Sequence, residues 1–190
     1  MTLADPTDRK ALSDLARLAE LFDSAAMAEP YGEELSIRHH MLQCAELAVA
    51  QRQGDVMVAA VLLHDLGWAL NGADAASEHP HAAADFLAPL FGTEIADLIR
   101  NHVAAKRYLV ATEPGYAASL SDESRRTLVW QGGAMPAAIR AQFAAQPYFA
   151  AALQLRYLDD AGKDARVPTT CFATYAPLLY RLLVRQRLSE

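Results

Sequence analysis

The spacing of apolar and polar positions along the chain is mostly helical. Between positions 8 and 27, leucine and phenylalanine recur every three or four residues, which predicts an amphipathic helix. Similar spacing follows Ser36, Thr93, Ser121 and Pro147, and strand-like alternation is not sustained anywhere. The pattern therefore predicts an all-α fold, an irregular bundle of about eight to ten helices.

The longest purely apolar run, residues 56–63, leads directly into a His-Asp pair at 64–65 and then Leu66-Gly67. Such a run predicts a helix that is buried on most sides and stops at Gly67. A buried carboxylate is costly unless it is paired, and a metal cation beside an imidazole would pair it. Alternatively, both polar side chains reach water at an ordinary helix end.

Composition narrows the class of protein. The 190 residues are 53% hydrophobic, so we expect one globular domain over residues 1–190. The net charge of -6 argues against nucleic acid and anionic membranes as partners. No apolar run approaches the ~18–20 residues of a membrane span, and the N-terminus lacks the apolar core of a signal peptide. We therefore expect a cytoplasmic protein, with an oligomeric state that the sequence does not specify.

Six side chains combine metal-ligand chemistry with positions on or near the inward side of predicted helices: His40, His64, Asp65, His79, His102 and Asp159. Imidazole and carboxylate without thiolate suit iron or manganese better than structural zinc. Six ligands exceed the need of one open catalytic ion, so they predict two ions bridged by Asp65. Any one of these histidines alone could instead be a hydrogen-bonded core residue. His39 and His81 are competing candidates, and spacing does not decide between His79 and His81.

The ligand pattern resembles the HD-domain superfamily, most of whose members are metal-dependent phosphohydrolases. Further stretches resemble, more closely, the HD-domain oxygenases that cleave carbon–phosphorus bonds in hydroxylated aminoethylphosphonates. The resemblance covers about residues 31–163. The stretches that carry it are residues 40–45 (HMLQCA), 64–67 (HDLG), 102–109 (HVAAKRYL), 120–125 (LSDESR) and 131–133 (QGG). The most specific of them are residues 102–109 and 131–133.

This resemblance implies roles for individual residues. It selects His79 over His81 as the ligand, and it implies two iron ions in the mixed-valent Fe(II)/Fe(III) state, with O2 as co-substrate. Lys106, one turn after His102, would bind the phosphonate group. Ser124, Thr127 and Arg156 would be further substrate contacts, although Arg156 alone would read as a surface salt bridge.

Three further positions bear on the substrate: two in the loop before the His40 helix and one directly after the 64–67 stretch. In the relatives, a Tyr and a Glu close the site, the Tyr occupying an iron position and the Glu meeting the substrate amine. The resemblance implies these catalytic roles for Tyr31 and Glu33, in a loop one residue tighter than expected, and the alternative for Tyr31 is an ordinary aromatic residue of a turn. Trp68 stands where relatives acting on a primary amine have His. Because aromatic faces hold quaternary ammonium well, Trp68 suggests an N-trimethylated substrate. Alternatively, it only packs the helix end.

The expected activity is oxidative carbon–phosphorus cleavage of a 1-hydroxy-2-aminoethylphosphonate-type organophosphonate, giving phosphate and a carboxylate, either glycine betaine or glycine. The main alternative is an HD-family metal-dependent phosphohydrolase, in which a metal-bound hydroxide attacks a phosphoester. A metal-free binding module would not need a complete ligand set. An inositol-oxygenase-like role is disfavoured by the phosphonate-type residues around Lys106.

Overall fold

A computed structural model describes residues 5–30, 33–71 and 77–189 of the chain. The helices are α1 (Pro6–Phe22), α2 (Ala25–Ala28), α3 (Ile37–Ala50), α4 (Asp55–Leu63), α5 (Gly67–Asn71), α6 (His79–Phe91), α7 (Thr93–Thr112), α8 (Tyr116–Ser119), α9 (Asp122–Trp130), α10 (Ala137–Ala144), α11 (Phe149–Ala161) and α12 (Ala176–Leu188), with a 3-10 turn at Phe172–Tyr175.

The all-α prediction is confirmed. Within the described ranges every regular element is helical, and nine of the helices have eight or more residues, inside the expected number. Ser36 and Ser121 cap α3 and α9, each hydroxyl accepting a hydrogen bond from the backbone N–H three residues on. None of the helices in this part of the chain combines the length and apolarity needed to cross a membrane. The single-domain organisation over residues 1–190 stays a prediction.

The core is built around α4, whose residues from Met57 to Leu63 are all buried. Helix α4 packs against α3, α7 and α11, while α7 also packs against α6 and α11. These five helices bury a continuous set of aliphatic side chains, among them Met41, Leu62, Leu87, Ile99 and Leu155. Removing such side chains from water is the main favourable term in folding. The same contacts bring the inward faces of the five helices together at one place.

The predicted end of α4 is wrong. The helix ends at Leu63, and Gly67 starts the short helix α5 instead of terminating α4. A Cβ at Gly67 would lie 2.0 Å from the backbone oxygen of His79, so glycine is needed for the start of α6 to approach α5. Helix α7 runs to Thr112, because no residue before Pro114 breaks it.

Candidate metal centre and adjoining pocket

Four helices and the turn after α4 supply the six predicted ligands, and the structure brings all six together. His40 lies on α3, His64 directly follows α4, Asp65 is in the next turn, His79 opens α6, His102 is on α7 and Asp159 is near the end of α11. Five of them are buried, and the Asp65 side chain is 16% exposed. A buried group of four imidazoles and two carboxylates is costly without a cation to bind it.

The two oxygens of Asp65 face different imidazoles. Its Oδ2 atom lies 3.4 Å from His64 Nε2 and 3.9 Å from His40 Nε2. On this side Asp159 Oδ1 is 3.1 Å from His40 Nε2. On the other side, Asp65 Oδ1 lies 3.1 Å from His79 Nε2 and 3.7 Å from His102 Nε2. The cluster thus divides into two groups of donors that share one carboxylate.

Backbone carbonyls orient three of the imidazoles. The Nδ1 atoms of His64, His102 and His40 lie 2.8, 2.7 and 2.8 Å from the carbonyl oxygens of Val61, Ile99 and Gly162. A carbonyl only accepts, so each Nδ1 carries the hydrogen and each Nε2 is directed into the cluster. This is the arrangement that fixes the tautomer of metal-binding histidines.

The donor set fits metal ions. Nε2 atoms are 3.3 Å apart in the His40–His64 pair and 3.1 Å apart in the His79–His102 pair, too close without a proton or cation between them. Burial lowers the pKa of His64 and of His102, which favours the neutral imidazole that binds metals. Burial alone would raise the pKa of Asp65, but the imidazoles of His64 and His79 outweigh it and hold that pKa well below its usual range.

The competing histidines lie outside the cluster. His39 Nε2 is 2.8 Å from the carbonyl oxygen of Val167 and 3.2 Å from the Gln43 amide nitrogen. The exposed His81 has its Nδ1 atom 3.4 Å from the Arg100 guanidinium. The structure therefore places His40 and His79, the predicted members of each pair, at the cluster.

A pocket adjoins the cluster and has a strongly polar wall. Besides five of the cluster residues, the side chains that line it are Pro30, Glu33, Leu35, Ile37, Trp68, Val103, Lys106, Glu123, Ser124, Thr127, Gln131, Arg156 and Lys163. All the predicted substrate contacts, Lys106, Trp68, Ser124, Thr127 and Arg156, are among them. Tyr31 lies outside the described residues.

Lys106 is the buried cation of this wall. Lys106 is only 2% exposed, and its Nζ donates to Thr127 Oγ1 at 3.2 Å and to the Ser124 carbonyl oxygen at 3.5 Å. Burial, together with the nearby positive charge of Arg156, lowers the pKa of Lys106 to about 7. Among the contacts of the described residues, Lys106 has no carboxylate as a hydrogen-bond partner, so an anion entering the pocket could pair with it.

Arg156 is buried and does not form the surface salt bridge considered as its alternative. Its guanidinium donates to Asp159 Oδ2 at 2.7 Å and also pairs with Asp160. The phenol of Tyr116 lies 3.0 Å from Arg156 Nε and donates to Asp160 Oδ2 at 2.5 Å. These bonds hold Asp159 with one oxygen on Arg156 and the other towards His40. One guanidinium nitrogen also lies 3.4 Å from Ser124 Oγ.

Trp68 both packs and lines the pocket. Its indole is stacked on the His79 ring, with 4.9 Å between ring centroids and 17° between planes. The residue is buried in the main core cluster. Because His79 covers one indole face, that face is closed to a ligand.

Lys163 is a pocket residue that sequence reasoning missed. It follows Gly162 at the end of α11, and its Nζ lies 3.0 Å from Glu33 Oε1 and 2.8 Å from Ser124 Oγ. Its position four residues after Asp159 was an available signal, since i and i+4 positions share a helix face. Gly162 itself allows the close approach, because a Cβ there would lie 2.5 Å from Cys44 Sγ.

The fold and site define an all-α protein with a candidate two-metal centre beside a pocket that is lined by the buried cation Lys106. No family model matches the chain. It is 36% identical over 170 residues to a [1-hydroxy-2-(trimethylamino)ethyl]phosphonate dioxygenase (glycine-betaine-forming) of Leisingera caerulea, covering 86% of this chain and 87% of the relative. The chain belongs to the family of phosphonate dioxygenases.

Two further relatives match at similar identity. A hydroxymethylphosphonate dioxygenase of Gimesia maris is 35% identical over 141 residues, 70% of each chain. An uncharacterised protein of Acanthamoeba polyphaga mimivirus is 31% identical over 161 residues, 80% of this chain and 74% of that one. The family confirms the predicted class, an oxygenase of phosphonate catabolism that acts on a small organophosphonate. The HD-domain assignment stays a prediction.

Proposed function

We propose that this chain cleaves the carbon–phosphorus bond of [1-hydroxy-2-(trimethylamino)ethyl]phosphonate with O2, releasing phosphate and glycine betaine. The observation that carries the proposal is that one pocket joins the imidazole–carboxylate cluster to a buried lysine, Lys106. The name and high coverage of the Leisingera relative support this choice of substrate.

The centre would contain two iron ions in the mixed-valent Fe(II)/Fe(III) state. His40, His64 and Asp159 would hold one ion, His79 and His102 the other, and Asp65 would bridge them, consistent with the direction of each Asp65 oxygen. Together with O2, these ions would supply the oxidising chemistry. The protein's own contribution is to orient the donors through backbone carbonyls and to keep them in a buried site.

The phosphonate end of the substrate would bind at Lys106. The Thr127 hydroxyl lies next to this ammonium, and the Ser124 hydroxyl lies beside Lys163 and Arg156, so both hydroxyls could donate to phosphonate oxygens. Lys106 and His102 are one helical turn apart, so a phosphonate on Lys106 places the adjacent carbon close to the cluster. This fixed positive charge would also stabilise negative charge on the departing phosphate.

The trimethylammonium end would lie between Glu33 and Trp68, an anionic and an aromatic residue of the pocket. A quaternary ammonium has no N–H donors, so it gains from an aromatic face and from a carboxylate at longer range. The alternative for Trp68 is a packing role on His79 alone. Hydroxymethylphosphonate, the substrate named for the Gimesia relative, carries no cation that could meet Glu33.

The test is phosphate release by the iron-loaded protein from the trimethylated substrate and from its free-amine counterpart, at matched concentrations in air. We expect kcat/KM to be at least about tenfold higher for the trimethylated substrate. Trp68→His should reduce this preference while leaving the fold intact. Equal or better use of the free amine by the unaltered protein would refute the proposed substrate.

A further inference from the structure

Glu33 and Lys163 form an ion pair across the pocket, here named the 33–163 pair. Glu33 Oε1 accepts from Lys163 Nζ at 3.0 Å and from the Ser121 hydroxyl at 2.7 Å. Lys163 Nζ also donates to Ser124 Oγ at 2.8 Å. Both charged side chains are partly buried, with 22% and 16% exposure, so the interaction is less screened than at an open surface.

The charges around Ser124 explain why this pair matters for an anion. Three cations lie near Ser124: Lys106, Arg156 and Lys163. Arg156 is already balanced by Asp159 and Asp160. Of these three cations, Lys106 is the one for which the described part of the chain shows no carboxylate partner, and a phosphonate dianion can pair with it. The second positive charge that it needs belongs to Lys163, which is paired with Glu33.

A zwitterionic ligand can pair with both Lys163 and Glu33, because it carries a negative and a positive charge. We propose that the substrate exchanges partners with the 33–163 pair: its ammonium end takes Glu33, and its phosphonate end takes Lys163. This inference rests on the proposed function and adds to it a specificity-determining residue, Lys163, and a reason for zwitterion selectivity. Each charge that loses its partner gains one from the substrate, so none is left unpaired in the pocket.

An anion without a cationic end lacks the second half of this exchange. It can reach Lys163 only by leaving the Glu33 carboxylate unpaired in a partly buried site, which is unfavourable. The 33–163 pair thus selects against simple phosphonates as much as it favours the zwitterion. Selectivity that works through a penalty on the wrong ligand is a common form of molecular discrimination.

The experiment compares two ligands of nearly equal shape. One is the trimethylammonium substrate, and the other is (1-hydroxy-3,3-dimethylbutyl)phosphonate, in which an uncharged tert-butyl group replaces the trimethylammonium group. Binding to the iron-loaded protein is measured by calorimetry without O2, so that no turnover occurs. The variants are Glu33→Gln, the double variant Glu33→Gln/Lys163→Met, and Glu94→Gln as the matched control at an exposed Glu94–Arg185 pair.

Glu33→Gln should tighten binding of the uncharged-tail ligand about tenfold, since Lys163 becomes available, and should change Kd of the zwitterion less than about threefold. The double variant Glu33→Gln/Lys163→Met should not bind the uncharged-tail ligand more tightly than the unaltered protein does. Glu94→Gln should change the Kd of neither ligand. Far-ultraviolet circular dichroism checks that each variant is folded.

Two outcomes would overturn the exchange. In the first, Glu33→Gln leaves the Kd of the uncharged-tail ligand unchanged or weakens its binding. In the second, the gain persists in the double variant, so that removal of a negative charge is the whole effect and Lys163 has no part. A different result refutes the proposed function itself: the unaltered protein binds neither phosphonate.

Discussion

At the scale of single residues, the proposed two-metal centre depends most on Asp65. Its two oxygens lie towards different imidazoles, with Oδ2 near His64 and Oδ1 near His79. A carboxylate in this position can serve two ions at once, and its low pKa keeps it ionised throughout the ordinary pH range. The neighbouring histidines allow a sharper test than Asp65, because two of them have close sequence neighbours that lie elsewhere.

The first prediction compares His79→Ala with His81→Ala. Both remove an imidazole from the first turn of α6, but only His79 lies beside Asp65 and His102. We expect His79→Ala to lose about half of the bound iron and to lower kcat by at least about a hundredfold. His81→Ala should retain the full iron content and the kcat of the unaltered protein. Iron is measured per chain by mass spectrometry, and equal iron content in the two variants would refute the assignment.

The second prediction concerns the pH dependence of phosphonate binding. Burial lowers the pKa of Lys106 to about 7 in the free protein. A bound phosphonate favours the ammonium form and raises that pKa, so binding takes up a proton above pH 7. Affinity should therefore be highest below pH 7 and fall by up to about tenfold per pH unit above it, until the pKa of the complex is reached.

The control for this pH dependence is Lys106→Arg, because a guanidinium does not deprotonate in this range. Both proteins experience the same titration of the phosphonate itself, so the difference between their profiles isolates Lys106. The measurement is Kd without O2 at a series of pH values between about 6 and 9. Parallel profiles for the two proteins would contradict a titrating Lys106.

Residue types and helical positions indicated which side chains lie together in the cluster. Contacts between residues far apart in the chain could not be predicted from the sequence. The six candidate ligands share a chemistry and an inward helical position, both readable along the chain. The choice of His79 over His81 needed the family resemblance, because helical spacing treats them alike. The 33–163 pair could not be predicted, since its two residues are 130 positions apart and meet only in the folded chain.

At the scale of elements, glycines at two helix ends set how closely the ligand-bearing helices approach. Gly67 faces the backbone of His79, and Gly162 faces Cys44 while its carbonyl oxygen accepts from His40 Nδ1. The sequence indicated Gly67 as a helix terminator, because Gly commonly ends helices. Its actual function depends on the approach of α6, which local propensity does not encode.

The third prediction is the effect of Gly67→Ala on stability. The added methyl would lie 2.0 Å from the His79 carbonyl oxygen, a backbone atom that cannot rotate away. We expect the free energy of unfolding to fall by at least about 2 kcal/mol. The matched control is Gly54→Ala, where the new Cβ meets nothing within 4 Å, and its effect should stay within about 1 kcal/mol. Equal denaturant midpoints for the two variants would contradict the close approach.

At the scale of the whole molecule, the buried helix α4 organises the site. Helices α3, α7 and α11 pack on it and each contributes a ligand, while α6 reaches the cluster through its contact with α7. The helical class could be predicted because the apolar periodicity is strong. The convergence of five helix faces could not, because it results from packing between segments far apart in sequence.

The ligand-bearing helices that converge around α4 build an oxygenase, not a phosphohydrolase. The direct measurement is the amount of O2 consumed per phosphate released from [1-hydroxy-2-(trimethylamino)ethyl]phosphonate by the iron-loaded protein, with an oxygen electrode and a phosphate assay on the same reaction. We predict about one O2 per phosphate and no phosphate release under anoxic conditions. Phosphate release that continues without O2 would contradict the account.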